Sequence, residues 1–537
     1  MENKLLRIEG ISLLLQDNEN ILVDKIAKIL GTPKKVIENF KIAKRAIDSR
    51  DKKNILFVYS VDVQFDSKKI LSHISKKNIV KHNIRFVEPY VYEIKSVEPS
   101  LVLHRPVVVG SWPSGLFAAL ILATAWLKPL LIERWVDVDT RAQDVEKFLQ
   151  TGKLNVNSNV QFGEGWAGTF SDGKLYTWVN DPRTKYIFEE LISAWAPKEI
   201  AYDAKPHIGT DKLKSIVKNL REKIISLWWE VRFETCLTDI EIKKDTVVTA
   251  VCNDWEKIKT DDLVLAIWHS ARDTYEMLYA KKLKIEQKTF AMGLRIEHSK
   301  ELINHAQFGD VCVNPKLPTA SYRLVNHNEN NRSVYTFCMC PWWYIMAASS
   351  EQWRLAVNGM SEYNQDSPMS NSALLVGVNP SDFGSDHPLA WIEFQRRREE
   401  KAFVAWGSNY HAPAQLVGDF LQKKPSTKLW SMSTTYRPAI TLTSLDDCLP
   451  PYIISAIREA IPLLDKKIKW FAHPDAILVW IESRSSSVVR LLRDETKQSN
   501  IRGIYPAWEW SWYAGGIASS AIDGLIVAEA IIEKYKK

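Results

Sequence analysis

The residues whose types and spacing could do chemistry begin with Gly110, Trp112 and Gly115 in Pro106-Val-Val-Val-Gly-Ser-Trp-Pro-Ser-Gly115, with Glu133 closing Leu130-Leu-Ile-Glu133. Three consecutive valines read as a buried parallel strand, and the apolar run from Leu116 to Trp126 reads as a helix packed on it. A tight glycine turn between such a strand and helix brings backbone N–H groups and the helix dipole to a pyrophosphate. An acid about 20 residues further on accepts hydrogen bonds from a ribose, and Glu133 lies 23 positions after Gly110. One residue departs from the G-x-G-x-x-G pattern: Trp112 stands where the middle glycine would let the backbone approach the phosphates.

Composition bears on that departure. The chain has 21 Gly and 21 Trp in 537 residues. Glycine is thus about 3.9% of the chain against roughly 7% in ordinary proteins, and the two types pooled reach about 7.8%. The tryptophans also fall where glycine chemistry is expected: Trp166 in Gly165-Trp-Ala-Gly168, Trp228-Trp229 between a helix and a strand, Trp342-Trp343 after Pro341, and Trp508, Trp510 and Trp512 before Gly515-Gly516. The reading is that most of these are UGA triplets that the source cell decodes as Gly. The literal alternative is a Trp-rich protein with aromatic core residues.

Further along, Arg134 and Arg141 follow the acid. A second glycine-rich segment then interleaves Gly163, Gly165 and Gly168 with Thr169, Ser171, Asp172 and Lys174, able to wrap amides and hydroxyls around a phosphate or a flavin edge. Asp261-Asp-Leu-Val-Leu-Ala-Ile-Trp-His269 reads as another strand, with Ala266 at its end and His269, Ser270 and Arg272 behind it. His269 alone reads first as a structural hydrogen-bonding residue and second as a catalytic candidate. Cys338 and Cys340 are two apart, so on a strand they face the same way and form a candidate redox pair. The six cysteines, at 236, 252, 312, 338, 340 and 448, have neither zinc spacing nor a C-x-x-C, so no metal site and no disulfide scaffold is expected.

These residues require several elements to position them. Residues 1–96 read as an α+β, ferredoxin-like module: a strand from Leu5 to Leu15, a helix from Asn20 to Leu30 ending at Gly31, a hairpin from Ile42 to Phe65, a helix from Ser67 to Ser75 and a strand from Ile84 to Val87. Residues 97–285 form the first part of a Rossmann-like α/β domain, which residues 470–537 complete, the last helix running from Ile517 to Glu533. Residues 286–469 form an inserted β-rich α+β substrate domain, with strands at 290–297, 321–325, 334–338, 344–348 and 355–360, and irregular loops at 361–371 and 434–438. The net charge of +7 is concentrated at the start, since residues 1–100 hold 19 Lys and Arg against 13 Asp and Glu. A solvated surface is preferred there over a grip on nucleic acid, although the module keeps that partner open. No signal peptide is apparent, the Gly-Ser-Trp-Pro-Ser-Gly interruption argues against a membrane span from Val107 to Trp126, and the expected setting is cytoplasmic.

Two long segments, Val160-Gln-Phe-Gly-Glu-Gly-Trp-Ala-Gly-Thr-Phe-Ser-Asp-Gly-Lys-Leu175 and Gly503-Ile-Tyr-Pro-Ala-Trp-Glu-Trp-Ser-Trp-Tyr-Ala-Gly-Gly-Ile517, carry a resemblance over essentially the whole chain. The sequence resembles the bacterial FAD-dependent dehydrogenases of the glutathione-reductase-like superfamily, and within it an uncharacterised branch with a small N-terminal α+β domain. The resemblance implies bound FAD, with Glu509 on its ribityl chain and the helix after Gly515, Gly516 and Ile517 facing the flavin. It also implies small residues, mostly Gly, at the Trp positions of both segments and at Trp268. The expected function is an FAD-dependent oxidoreductase acting on a small molecule, with NAD(P)H as a transient donor. Its rivals are a flavoprotein that modifies RNA and a flavin-binding scaffold without turnover.

Overall fold

The computed structural model describes residues 5–37, 39–64, 74–165, 169, 173–175, 177, 179–329, 332–341, 344–360, 362–363, 367–404, 407–447, 449–507 and 516–536. Alternation of apolar and polar residues in β1 (Leu5–Leu14) buries Leu6, Ile8, Ile11 and Leu13 on one face. Helix α1 (Ile21–Leu30) lays Leu22, Ile26, Ala27 and Leu30 on that face and ends at Gly31 with φ +68°. β2 (Phe40–Asp48) and β3 (Leu56–Gln64) pair as an antiparallel hairpin. The expected helix from Ser67 to Ser75 lies almost wholly outside the described residues. The helix described here is α2 (Lys76–Lys81), capped by the Ser75 hydroxyl, which accepts from Asn78 N–H at 3.2 Å. With β4 (Arg85–Val87) the sheet order is β2-β3-β1-β4, a βαββαβ layer with its own core.

The second region opens with β5 (Val107–Val109), α3 (Pro113–Thr124), β6 (Leu130–Ile132) and α4 (Val138–Thr151). α5 (Arg183–Ser193), α6 (Thr210–Ser226) and β7 (Glu230–Arg232) follow. A three-stranded antiparallel flap comprises β8 (Leu237–Lys243), β9 (Thr246–Cys252) and β10 (Glu256–Lys259), and precedes β11 (Leu263–Leu265) and α7 (Arg272–Ala280). The three-residue strands pair in parallel in the order Ile504–Pro506, β11, β5, β6, β7. α3 is apolar all round and buried along its length, as a helix enclosed between a sheet and other helices must be. Each of Leu116, Phe117, Leu120, Ile121 and Leu122, at most 2% exposed, stabilises the fold by about 1.5–3 kcal/mol.

The chain then departs into a larger sheet. β12 (Ile285–Gln287), β13 (Phe290–Ser299), α8 (Lys300–Phe308), β14 (Val325–His327), β15 (Ser333–Cys340), β16 (Tyr344–Ala347), β17 (Val357–Met360) and β18 (Met369–Val378) follow in turn. After α9 (Ala390–Val404), β19 (Ala412–Leu416), α10 (Val417–Leu421), β20 (Ile440–Leu442) and α11 (Pro451–Asp465), the chain returns through β21 (Ile477–Glu482), β22 (Val489–Leu491), β23 (Ile504–Pro506) and α12 (Ile517–Lys534). Seven strands form one sheet in the order β14-β15-β18-β13-β21-β19-β20. Two expectations need correction. Residues 321–324 are not strand, and the segment expected to be a loop as far as residue 371 already enters β18 at Met369, near the centre of the sheet. Its opening Met-Ser-Asn-Ser carries polar side chains that are nonetheless buried, so polarity there did not mean exposure.

Candidate functional site

The site is built where β5, β11 and the start of α3 meet. Gly110 has φ +97°, and a Cβ added to it would stand 2.4 Å from the Ala266 carbonyl oxygen. A Cβ on Gly115 would lie 2.0 Å from the Gly110 oxygen and 3.0 Å from the Ala266 side chain. Only glycine permits this approach, and the result is a strand, tight turn and helix N-terminus with Pro113 in its first turn. Glu133, at the end of β6, is buried and fixes the turn: one carboxylate oxygen accepts from the Ser111 N–H at 2.9 Å and from the Ser111 hydroxyl at 2.6 Å. Its other oxygen accepts from Trp135 N–H at 3.3 Å.

Gly110, Trp112, Glu133, Arg134 and Gly163 line one cleft, together with Trp268. Two indoles stand in it. Trp112 and Trp268 stack with ring centroids 4.1 Å apart and planes 10° from parallel, and Trp268 Nε1–H donates to Gln161 Oε1 at 2.9 Å. Arg134 forms a two-pronged pair with Asp273 at 2.8 and 2.9 Å and lies over the Trp135 ring. Arg141 is fully buried and donates to the carbonyls of Asn159, Val160, Gly163 and Glu164, so it clamps the second glycine segment from beneath. Burial, opposed by Glu133 and Glu164, brings its pKa down to about 9. Gly163 and Gly165 sit at φ +118° and +89°, each packed where a Cβ would collide with Arg141 or with Thr169. Thr169 is buried and its hydroxyl donates to the Gly165 carbonyl, while Lys174 reaches across to the Met339 carbonyl in the large sheet. Gly516 precedes Ile517 at the start of α12 and donates its N–H to Ser519 Oγ at 3.2 Å. Gly168, Ser171, Asp172, Glu509 and Gly515 lie outside the described residues.

Behind the cleft is a buried charged cluster. His269 is fully buried, packs 4.0 Å from the Trp268 ring, and has no hydrogen-bond partner at either ring nitrogen. Burial, and then Arg484 and Arg272, hold its pKa well below the ordinary value. Glu399 of α9 accepts from Arg484 at 2.8 and 2.9 Å and from Arg272 at 3.4 Å. Burial alone would raise its pKa, but Arg484 and Arg272 draw it down to about 2. A second cluster faces Lys174 on the large sheet: Arg295 pairs with Glu482 at 3.0 Å and donates to Asn371, to the Cys338 carbonyl and towards Cys340 Sγ at 3.5 Å. The register of β15 slips between Phe337 and Cys340, and Cys338 stands at φ +50°. The alternation that would place both cysteines on one face is interrupted by this bulge. Cys340 donates to the Cys338 carbonyl at 2.8 Å. Sequence reasoning missed Glu399 and Arg295. The signal available for Arg295 was a charge within the otherwise apolar run Phe290-Ala-Met-Gly-Leu-Arg-Ile296. Among the described residues no group of His, Cys, Asp and Glu could hold a metal, and no helix is long and apolar enough to cross a membrane.

Residues 289–485 match the family model described as "FAD-dependent protein, C-terminal domain-like", and residues 6–64 match a domain of unknown function (DUF8436). A protein of Clostridium beijerinckii described as uncharacterised is 48% identical over 533 residues, covering 99% of each chain. Among solved structures, quinol fumarate reductase FrdA of E. coli aligns with 10% identity and a TM-score of 0.35, over 81% of this chain and 70% of that one. L-amino acid deaminase from Proteus vulgaris aligns with 9% identity and a TM-score of 0.35, over 83% and 96%. Against an adenine dinucleotide, the glycine turn, the helix N-terminus and Glu133 fit; the two indoles that fill the cleft before them do not. The chain belongs to the same family as the Clostridium protein, and its residues 289–485 are similar to the FAD-dependent C-terminal domain family.

Proposed function

We propose that the protein is a flavin-dependent oxidoreductase that binds FAD without a covalent link and acts on a small molecule, with a nicotinamide as the donor that reduces it. The observation that carries this reading is the turn at Gly110 and Gly115, tied down by Glu133 in a chain whose residues 289–485 are of the FAD-dependent type. FAD, when bound, would supply the hydride or electron transfer. The chain's own part is to hold and to shield: Arg141 fixes the second glycine segment, and Lys174 joins that segment to the sheet carrying Arg295, Cys338 and Cys340. Free cysteines fit a reducing compartment, so the cytoplasm is the proposed setting.

The test is a titration of the purified protein with FAD, followed by anaerobic addition of NADH or NADPH. Retention of flavin through gel filtration and bleaching of its visible band are the expected results. A protein that retains no flavin in any form, including the variant described below, sinks the reading.

A further inference from the structure

Five tryptophans stand where the backbone is left-handed: Trp126, Trp195, Trp228, Trp353 and Trp470, with φ between +60° and +80°. L-residues avoid this region because Cβ crowds the neighbouring carbonyl oxygen, whereas glycine enters it freely. Among the described residues, 18 non-glycine positions have positive φ, and these five Trp are more than a quarter of them, although Trp is 21 of 537 residues in the chain. The only other aromatic in that set is Tyr410.

Three of the five close helices in the way that glycine does elsewhere in this chain. α1 and α4 end on Gly31 and Gly152 at φ +68° and +66°; α3, α5 and α6 end on Trp126, Trp195 and Trp228 at +69°, +80° and +68°. At Trp126 both closing hydrogen bonds form, from its own N–H to Ala123 at 3.1 Å and from Leu127 N–H to Leu122 at 3.0 Å. At Trp195 the matching bonds reach Ile192 at 3.0 Å and Leu191 at 2.9 Å. This is the helix-ending motif whose left-handed position is ordinarily glycine. Trp470 occupies the third place of a turn in which Phe471 N–H donates to the Ile468 carbonyl, again a glycine position. Nor does burial repay the indoles, since Trp195, Trp228 and Trp353 are 76%, 89% and 68% exposed.

The cleft makes the same argument by a different route. Trp112 and Trp268 fill the space before the Gly110 turn, and the Trp268 ring lies against His269, whose two buried ring nitrogens have no partner. Removing both indoles would open the cleft from the helix N-terminus to that imidazole.

We propose that these seven positions, 112, 126, 195, 228, 268, 353 and 470, are glycine in the functional protein, the triplets being UGA codons that the source cell reads as glycine. For Trp112 and Trp268 the proposal rests on the dinucleotide reading above; for the other five it rests on backbone geometry alone.

Peptide mass spectrometry of the protein purified from its source cells decides the residues directly. Glycine at these positions is expected, and tryptophan there overturns the proposal whatever the flavin does. In parallel, the chain expressed as written is compared with a variant carrying all seven Trp→Gly exchanges. The glycine form should melt higher by about 5 °C, from relief of five left-handed positions, and should retain FAD where the tryptophan form does not. A glycine form that melts lower overturns the backbone argument. Glycine in the native peptides with no flavin retained by the glycine form upholds the residue assignment and overturns the flavin reading instead.

Discussion

His298 is held neutral by burial: its side chain is fully enclosed, its Nε2 bonds the Phe471 carbonyl at 2.8 Å, and desolvation brings its pKa from 6.5 to about 4. The unfolded chain therefore takes up a proton below pH 6.5 that the folded chain refuses. This contribution to stability is complete above that pH and falls away as the pH drops from 6.5 towards 4. At pH 5 the loss from this residue alone is about 2 kcal/mol. Urea unfolding at pH 7 and pH 5 should show the loss, and His298→Gln should remove most of the difference. Glu399 is the opposite case, a buried carboxylate kept ionised between Arg272 and Arg484. Glu399→Gln would leave two buried guanidinium groups short of a counter-charge and should destabilise the protein by about 3–5 kcal/mol in the same assay. Neither environment was legible in the sequence. Glu399 lies in Arg396-Arg-Arg-Glu-Glu-Lys401, which reads as an exposed helical face, and its partners Arg272 and Arg484 come from distant parts of the chain.

At the scale of elements, α3 and α12 approach closely. A Cβ on Gly524 would stand 2.2 Å from the Ser114 carbonyl oxygen, which is backbone and has nowhere to move. Gly524→Ala gains about 1 kcal/mol of helix propensity but forces the helices apart. Overpacking of this kind costs up to about 3 kcal/mol or more, so a lower Tm is the expected outcome; an unchanged Tm would mean that the helices can slide. The elements that announced themselves were those whose pattern is local: the valine run of β5, the apolar helix after it, and the alternating β1 and β3. β18 did not, because a strand near the middle of a sheet is recognised by its neighbours β13 and β15, and its first four residues imitate a loop. The turn at Gly110 and Gly115 was readable because glycine spacing encodes a close approach. The role of Arg141 was not, because carbonyl acceptors leave no trace in residue type.

For the whole molecule, the basic first hundred residues invite the idea of nucleic acid, but their four arginines, 7, 45, 50 and 85, are each engaged with an acid. Arg7 pairs with Asp62, Arg85 with Glu9, and Arg45 with Asp203, which ties the N-terminal layer to the region before α6. Protein purified at low ionic strength should therefore carry no RNA, as read from its absorbance ratio at 260 and 280 nm. RNA that is retained and then shed as salt rises would reverse the assignment of this surface.

The position of β23 reaches beyond the finished structure. It pairs with β11, and α12 covers α3, yet roughly 400 residues separate α3 from α12 along the chain. At about 5–20 residues per second of synthesis, the most apolar helix of the protein waits roughly 20–80 s for its cover. The face of α3 that α12 covers thus stays open to water until α12 is made, while β5, β6 and α6 pack its other sides early in synthesis.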